Sequence, residues 1–256
     1  MYSGYQIYKI PVIKIIITFT SDFLARMKIE ILEFVEGAEK AKGIVVIIDV
    51  FRAFSVACYA FEAGAVQYIA VGDTDSAFTL QKKYSNSVLI GERNEKKIEG
   101  FDLGNSPTEI IQSDLKGCTV IHTTTAGTHG LVNAENASVL LTGSFVNAGA
   151  IVKYICSLNP EFVSLVAMGY RAKISADEDL LCARLISERL MGRPHDFDKE
   201  ISDLKIKSGS RFFIPENIEF SPPTDFFLCT MLDRFDFILK AEKRLDGNIG
   251  LIKTDI

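Results

Sequence analysis

Ile44-Val45-Val46-Ile47-Ile48-Asp49-Val50 is a continuous apolar, mostly β-branched run broken only by an acid near its end. A strand with one wet face alternates apolar and polar residues. An unbroken run of this length suits a strand covered on both faces, as in the sheet of an α/β protein. The surroundings agree. Residues 55–63 read as a helix stopped by Gly64, 66–71 as the next strand, 76–84 as a helix and 88–90 as a short strand. Further on, 107–111 reads as helical, 119–123 as a strand, and a helix lies near Leu131. Then come a strand over 139–142, a helix over 147–157, a strand over 162–168 and a helix over 177–191. Behind Pro222-Pro223-Thr224 a last apolar helix is expected over about 225–244. Strands alternating with helices predict an α/β fold: a mostly parallel sheet with helices on both faces, in three layers.

The polar residues follow the strands. Asp49 and Arg52 come after the first run, Glu92 and Arg93 after 88–90, Thr123, Thr124 and Thr125 close a third strand, and Arg171 follows a fourth. Ligands of open α/β sheets bind outside the carboxyl ends of strands, so these residues are expected to converge on one rim. The densest stretch is the loop Gly91-Glu92-Arg93-Asn94-Glu95-Lys96-Lys97-Ile98-Glu99-Gly100-Phe101-Asp102-Leu103-Gly104-Asn105-Ser106-Pro107. Glu92, Glu99 and Asp102 are hard oxygen donors, and the Arg93 guanidinium is a planar fork suited to phosphate or sulfonate. A solvated surface turn is the plainer reading of any charged loop.

Composition narrows the class. The 256 residues carry a net charge of −5, which leaves no footprint for nucleic acid, though a local basic pocket for a small anion remains compatible with it. Five scattered cysteines without a CxxC pair argue against a zinc site or a secreted disulfide framework, and a cytoplasmic enzyme is the expectation. The apolar run at 10–19 is short and holds Lys14, too interrupted to span a bilayer, so no membrane is expected as a partner. Met27 opens a second, cleaner start. Residues 1–26 read as an N-terminal extension, with an edge strand as the alternative, and 27–256 as one catalytic domain. Whether the chain forms a homo-oligomer is left open.

Each candidate has a competing structural role. Asp49 could cap a helix or pair with Arg52, and Arg52 could instead grip an anion. Thr123, Thr124, Thr125, Gly127 and Thr128 resemble a phosphate-cradling turn ahead of a helix, although any one threonine could be an ordinary N-cap. Ser175-Ala176-Asp177-Glu178 has the spacing of a capping box, which accounts for Glu178 but not for Asp179. Asp225, Cys229, Asp233 and Asp236 would form one stripe of the last helix, with a solvated face the preferred reading for Asp233 and Asp236. The three histidines, at 122, 129 and 195, assemble no hydrolase motif. Asp73-Thr74-Asp75-Ser76-Ala77 is similar to the aspartyl-nucleophile signature of dehalogenase-type phosphatases, but its fifth residue is Ala.

Taken together, the chain resembles the 2-phosphosulfolactate phosphatase (ComB) family over roughly residues 27–243. The likeness rests on Asp49-Val50-Phe51-Arg52-Ala53, on the 91–107 loop, on Thr123-Thr124-Thr125-Ala126-Gly127-Thr128 and on Ser144-Phe145-Val146-Asn147-Ala148. It continues through Glu178-Asp179-Leu180-Leu181-Cys182-Ala183 to Asp225 and Asp233-Arg234-Phe235-Asp236. The resemblance implies magnesium-dependent hydrolysis of a small phosphorylated, sulfonated acid to 3-sulfolactate and phosphate, a step that belongs elsewhere to coenzyme M synthesis. On this reading Asp49, Glu92 and Asp102 are the Mg²⁺-linked carboxylates. Arg52 and Arg93 clamp phosphate and sulfonate, and Glu178 or Asp179 handles the attacking water. Asn105, Ser106, the threonine turn and Arg171 bind substrate. Phe51, Phe54 and Asn94-Glu95-Lys96 depart from the usual pattern, which leaves the reaction class intact and puts the substrate in question. The alternatives are a dehalogenase-type phosphatase using Asp73 and a non-catalytic anion-binding module.

Overall fold

The computed structural model describes residues 27–193 and 195–256. The segment 1–26, read above as an extension, lies outside the described residues. Strands β1 (Lys28–Glu33), β2 (Gly43–Ile48), β3 (Gln67–Ala70), β4 (Ser87–Arg93), β5 (Lys96–Lys97), β6 (Thr119–Thr123), β7 (Ala137–Gly143), β8 (Phe162–Ala167), β9 (Phe237–Lys243) and β10 (Ile249–Asp255) form one sheet. Its order is β1-β8-β2-β7-β9-β10-β3-β6-β4-β5. Two parallel blocks, β1-β8-β2-β7 and β3-β6-β4, flank an antiparallel β9-β10 hairpin. The sheet is mostly parallel, with helices on both faces.

The helices are α1 (Phe34–Lys40), α2 (Ala53–Glu62), α3 (Thr74–Gln81), α4 (Pro107–Ile111), α5 (Gly127–Asn133), α6 (Ala148–Leu158), α7 (Asp177–Leu190), α8 (Asp198–Asp203) and α9 (Pro223–Cys229). Helix α2 is buried from Ala53 through Tyr59 to Ala60, on every side. It therefore sits inside the core, packed with Val45, Ile47, Tyr68, Ile90, Leu239 and Leu251 from both halves of the sheet. The opposite face of β2 packs through Ile44, Val46 and Ile48 on α6 and α7. A strand buried on both faces is what the unbroken IVVII run requires.

The hairpin reverses the strand direction between the two parallel blocks. Neighbouring strands also twist by about 20–25°, so the six steps from β2 to β4 accumulate roughly 120–150°. That nearly undoes the reversal, and residues at the carboxyl ends of β2 and β4 line one cavity.

The expected last helix is a correction. Only 223–229 is helical, and β9 and β10 follow as central strands. Phe237, Leu239 and Ala241 pack on one face and Ile238 on the other, a period of two rather than 3.6. Asp246-Gly247, with Gly247 at φ +85°, supplies the turn. Residues 204–217, which lack periodicity, form short 3-10 turns. The capping box is also absent. Ala176 holds the N-cap position, Ser175 donates to Glu33, and Glu178 is free for another use.

Candidate active site

A cavity of about 50 Å³ lies where the ends of β2, β4, β6 and β8 meet. Five carboxylates (Asp49, Glu92, Glu95, Glu178, Asp179) and three guanidiniums (Arg52, Arg171, Arg211) line it. Asn105, Thr124, Thr125 and Tyr170 share the lining.

Asp49 leaves β2 and accepts from the Ala53 N–H at 3.1 Å through Oδ1. Its Oδ2 lies so close to Gly127 that a Cβ there would stand 2.9 Å away, so the turn after β6 needs a glycine at this point. Burial pushes the Asp49 pKa up to about 6; the Ala53 N–H pulls it down, the Glu92 and Glu178 charges raise it, and Arg211 lowers it. Glu178, in the first turn of α7, is buried, and its Oε2 has no hydrogen-bond partner. Burial also raises its pKa, with Arg211 opposing. Two further buried oxygens on the lining, Asn105 Oδ1 and Thr124 Oγ1, are equally without partners. Buried oxygens of this kind call for an explanation, and an electropositive guest or ordered water supplies one.

Other acids are already engaged. Asp179 accepts from the Val50 N–H and the Gly169 N–H, each at 2.8 Å, and so ties the ends of β2 and β8 together. Burial, then the charges of Glu178 and Asp49, hold its pKa well above the carboxylate range. Glu92 accepts from the Thr125 N–H at 2.9 Å, the Thr125 hydroxyl at 2.8 Å and the Glu95 N–H at 2.8 Å.

Arg52 is buried and donates to Asp225 Oδ2 and the Phe220 carbonyl, both at 2.7 Å, and to the Glu95 carbonyl at 3.3 Å. Asp225 is fully buried and also accepts from the Ser106 hydroxyl at 2.7 Å and the Thr108 N–H at 3.0 Å. Ser106 thereby joins the loop to α9 while capping α4. The expected stripe of Asp225, Asp233 and Asp236 dissolves, since Asp233 takes φ +55° beyond the helix and Asp236 is exposed.

The structure brings Asp49, Arg52, Glu92, Asn105, Thr124, Thr125, Arg171, Glu178 and Asp179 onto one cavity and places other candidates elsewhere. Asp102 is exposed and accepts from the Leu89 N–H at 2.8 Å, staying outside the lining. Arg93 is the last residue of β4, so its side chain emerges on the face opposite Glu92. There it donates to Thr123 Oγ1 at 3.0 Å and to the Glu92 carbonyl at 2.7 Å. Thr123 and Thr128 are turned inward, Thr128 donating to the Thr124 carbonyl at 3.0 Å. Asp73 is an exposed N-cap that accepts from the Ser76 N–H at 2.8 Å, outside the cavity. Helix α5, preceded by Ala126, has no side-chain cap.

Arg211 escaped the sequence reading because it follows no strand and stands in an aperiodic segment. It donates to Glu95 Oε1 at 2.9 Å and to the Phe51 carbonyl at 3.0 Å, and its Nε is buried without a partner. Tyr170 and Phe212 face its guanidinium.

Among the described residues no three acidic, imidazole or thiol groups form a cage for a metal ion. Mg²⁺ does not require one, since it commonly takes one or two carboxylates and completes its shell with water and substrate oxygens. Asp49, with the neutral oxygens of Asn105 and Thr124 on the same cavity, fits that donor set.

Comparisons with known proteins follow the same lines. The profile of the family described as 2-phosphosulpholactate phosphatase matches residues 30–211. A protein of Caldanaerobacter subterraneus subsp. tengcongensis named probable 2-phosphosulfolactate phosphatase is 34% identical over 227 residues, covering 82% of this chain and 90% of its own. Its namesake in Bacillus subtilis (strain 168) is 32% identical over 214 residues, covering 82% and 91%. Another, in Carboxydothermus hydrogenoformans, is 40% identical over 153 residues, covering 59% and 63%.

Proposed function

The chain belongs to the 2-phosphosulfolactate phosphatase family, and from that premise we propose that its cavity hydrolyses the phosphate ester of a small acid, with 2-phosphosulfolactate as the substrate. The observation that carries the reading is the meeting of Asp49, Arg211 and Glu178, whose Oε2 has no partner, in one small cavity.

Hydrolysis adds a water oxygen to phosphorus and breaks the bond from phosphorus to the ester oxygen, which leaves with a proton. Glu178 suits the proton work. Its burial raises the affinity for a proton, and its Oε2 is free to take one from the attacking water, while the departing oxygen, on the far side of phosphorus, takes its proton from solvent. Arg211 stands by with unfilled donor capacity. Asp179 and Glu92 hold the strand ends and the threonine turn in place rather than reacting.

With Asp179 holding its proton, four carboxylates still face three guanidiniums in the lining, and Arg52 is already paired with Asp225. A phosphate dianion entering such a cavity needs added positive charge. We propose that Asp49 holds a Mg²⁺ ion with help from Asn105 and Thr124, and a bound ion would set its charge against the phosphoryl oxygens. The magnesium set expected earlier thus contracts to Asp49, because Glu92 already accepts three hydrogen bonds that hold the turns and Asp102 lies outside.

Phosphate release from phosphorylated two- and three-carbon acids, with and without a sulfonate, tests the reading. Turnover should vanish on exhaustive chelation and return with Mg²⁺. Full turnover after chelation would remove the ion, and no release from any of these esters would remove the phosphatase.

A further inference from the structure

We propose that Arg211 receives the acid group that the substrate carries besides its phosphoryl and carboxyl groups, and that Glu95 is a built-in surrogate for that acid, displaced when substrate binds. The proposal rests on the phosphate-ester reading above.

A guanidinium carries five N–H donors. The chain fills two directions on Arg211, Glu95 Oε1 at 2.9 Å and the Phe51 carbonyl at 3.0 Å, while the buried Nε has no acceptor. Glu95 therefore engages the fork through a single oxygen. A tetrahedral sulfonate offers three oxygens, enough to take the place of Glu95 at Nη1 and to bridge to Nη2 along the same edge of the fork.

The other arginines are less suited. Arg52 is tied to a fully buried acid, Asp225, that cannot be displaced without opening the core. Arg93 lies on the other face of the sheet, held by Thr123. Arg171 is exposed over the Tyr170 ring at the rim. Arg211 has an acid partner that itself lines the cavity, and the pair is 19% and 21% exposed. The pair is part-buried at the cavity wall, so an acid arriving from the cavity replaces Glu95 without opening the core.

Glu95 is built for exchange. It is the second residue of the β4-β5 turn, where Asn94 and Glu95 take φ +55° and +70°. Glycine is favoured at such positions, so a long acidic side chain here calls for a reason. Its main chain is held from both sides: the N–H donates to Glu92 Oε2 at 2.8 Å and the carbonyl accepts from Arg52 at 3.3 Å. The side chain can leave Arg211 while the turn stays in place. Arg211 also lowers the proton affinity of both Asp49 and Glu178, which places it within electrostatic reach of the reacting end of a short substrate.

The test compares 2-phosphosulfolactate with 2-phospholactate, esters that differ only in the sulfonate. Arg211→Gln should lower the ratio of their kcat/KM values by about tenfold or more, mainly through KM, as expected for losing a charge-assisted bond. Arg211→Lys should fall between, keeping the charge without the fork. Glu95→Gln should raise the ratio several-fold by freeing Arg211. Equal losses on both esters, or an unchanged ratio in folded variants, would overturn the proposal. Calorimetric titration with 3-sulfolactate gives an arm independent of turnover. Its affinity should fall in Arg211→Gln and rise in Glu95→Gln, and equal affinity for all three proteins would count against the assignment. If the wild type hydrolyses neither ester yet this pattern appears, the phosphatase reading fails and the Arg211 site stands.

Discussion

Replacing Asp225 by asparagine should destabilise the protein by about 3–5 kcal/mol, the range for breaking a buried pair from one side. Asp225 is fully buried and Arg52 is 3% exposed. Its two oxygens accept three hydrogen bonds, from Arg52, Ser106 and Thr108. Asparagine can keep one acceptor for Ser106 and Thr108. Its amide N–H₂ would then face the Arg52 N–H at the 2.7 Å position, donor against donor, beside an uncompensated cation. Domains of this size lose about 2–4 °C of midpoint per kcal/mol, so the melting temperature should drop by roughly 6–20 °C. Urea unfolding at pH 7 measures the free energy. Arg52→Met combined with Asp225→Leu should recover much of the loss, because a buried pair replaced as a unit by apolar groups is often tolerated. A loss below about 1 kcal/mol in Asp225→Asn would refute the reasoning, since it would mean that water or a local shift solvates Arg52.

Other outcomes follow from single contacts. Arg93→Lys should cost about 1 kcal/mol and change turnover only a few-fold, because the side chain holds Thr123 on the far face; a 100-fold loss of turnover would return Arg93 to the site. Gly127→Ala should cost about 1–3 kcal/mol, since the added Cβ meets Asp49 Oδ2 at 2.9 Å and Phe54 at 3.1 Å, and a melt within error of wild type would show that the turn can retreat. His122 hydrogen-bonds Tyr68 inside the core, and burial, helped by the Arg93 charge, lowers its pKa to about 3. The unfolded chain therefore takes up this proton first. The stability from the neutral histidine is complete above about pH 6.5 and is lost as pH falls toward 3, by about 1.4 kcal/mol per unit. Urea melts should show His122→Gln losing less stability than wild type between pH 7 and pH 5, whereas equal losses would contradict the buried neutral state.

The fold was legible where burial leaves a simple signature. The run ending at Asp49 became β2, and the expected helices over 55–63 and 177–191 fall close to α2 and α7. The central hairpin was not legible, because Phe235 to Lys243 is apolar enough to pass for a helix. Only the alternation of Phe237, Leu239 and Ala241 and the Asp246-Gly247 turn argued otherwise. Within the site, strand ends located Asp49, Glu92 and Thr124, because residues just past a strand share a rim by construction. The period of two should also have separated Glu92 from Arg93, had the strand been carried three residues past Ile90. Arg211 and the Arg52–Asp225 pair depend on the path of residues 204–229 across the site, and that path comes from long-range packing with no local pattern.

Phosphate release from 2-phosphosulfolactate by wild type, Glu178→Gln and Asp73→Asn, each with Mg²⁺ and each shown folded by its melt, tests the central claim most directly. Glu178→Gln keeps the shape but removes the carboxylate whose Oε2 lacks a partner. Its kcat should fall by about 100-fold or more, the scale of lost general acid–base catalysis. Asp73→Asn, altered at an exposed helix cap, should retain its turnover. Wild-type rates in Glu178→Gln, or an inactive Asp73→Asn, would move the chemistry out of this cavity.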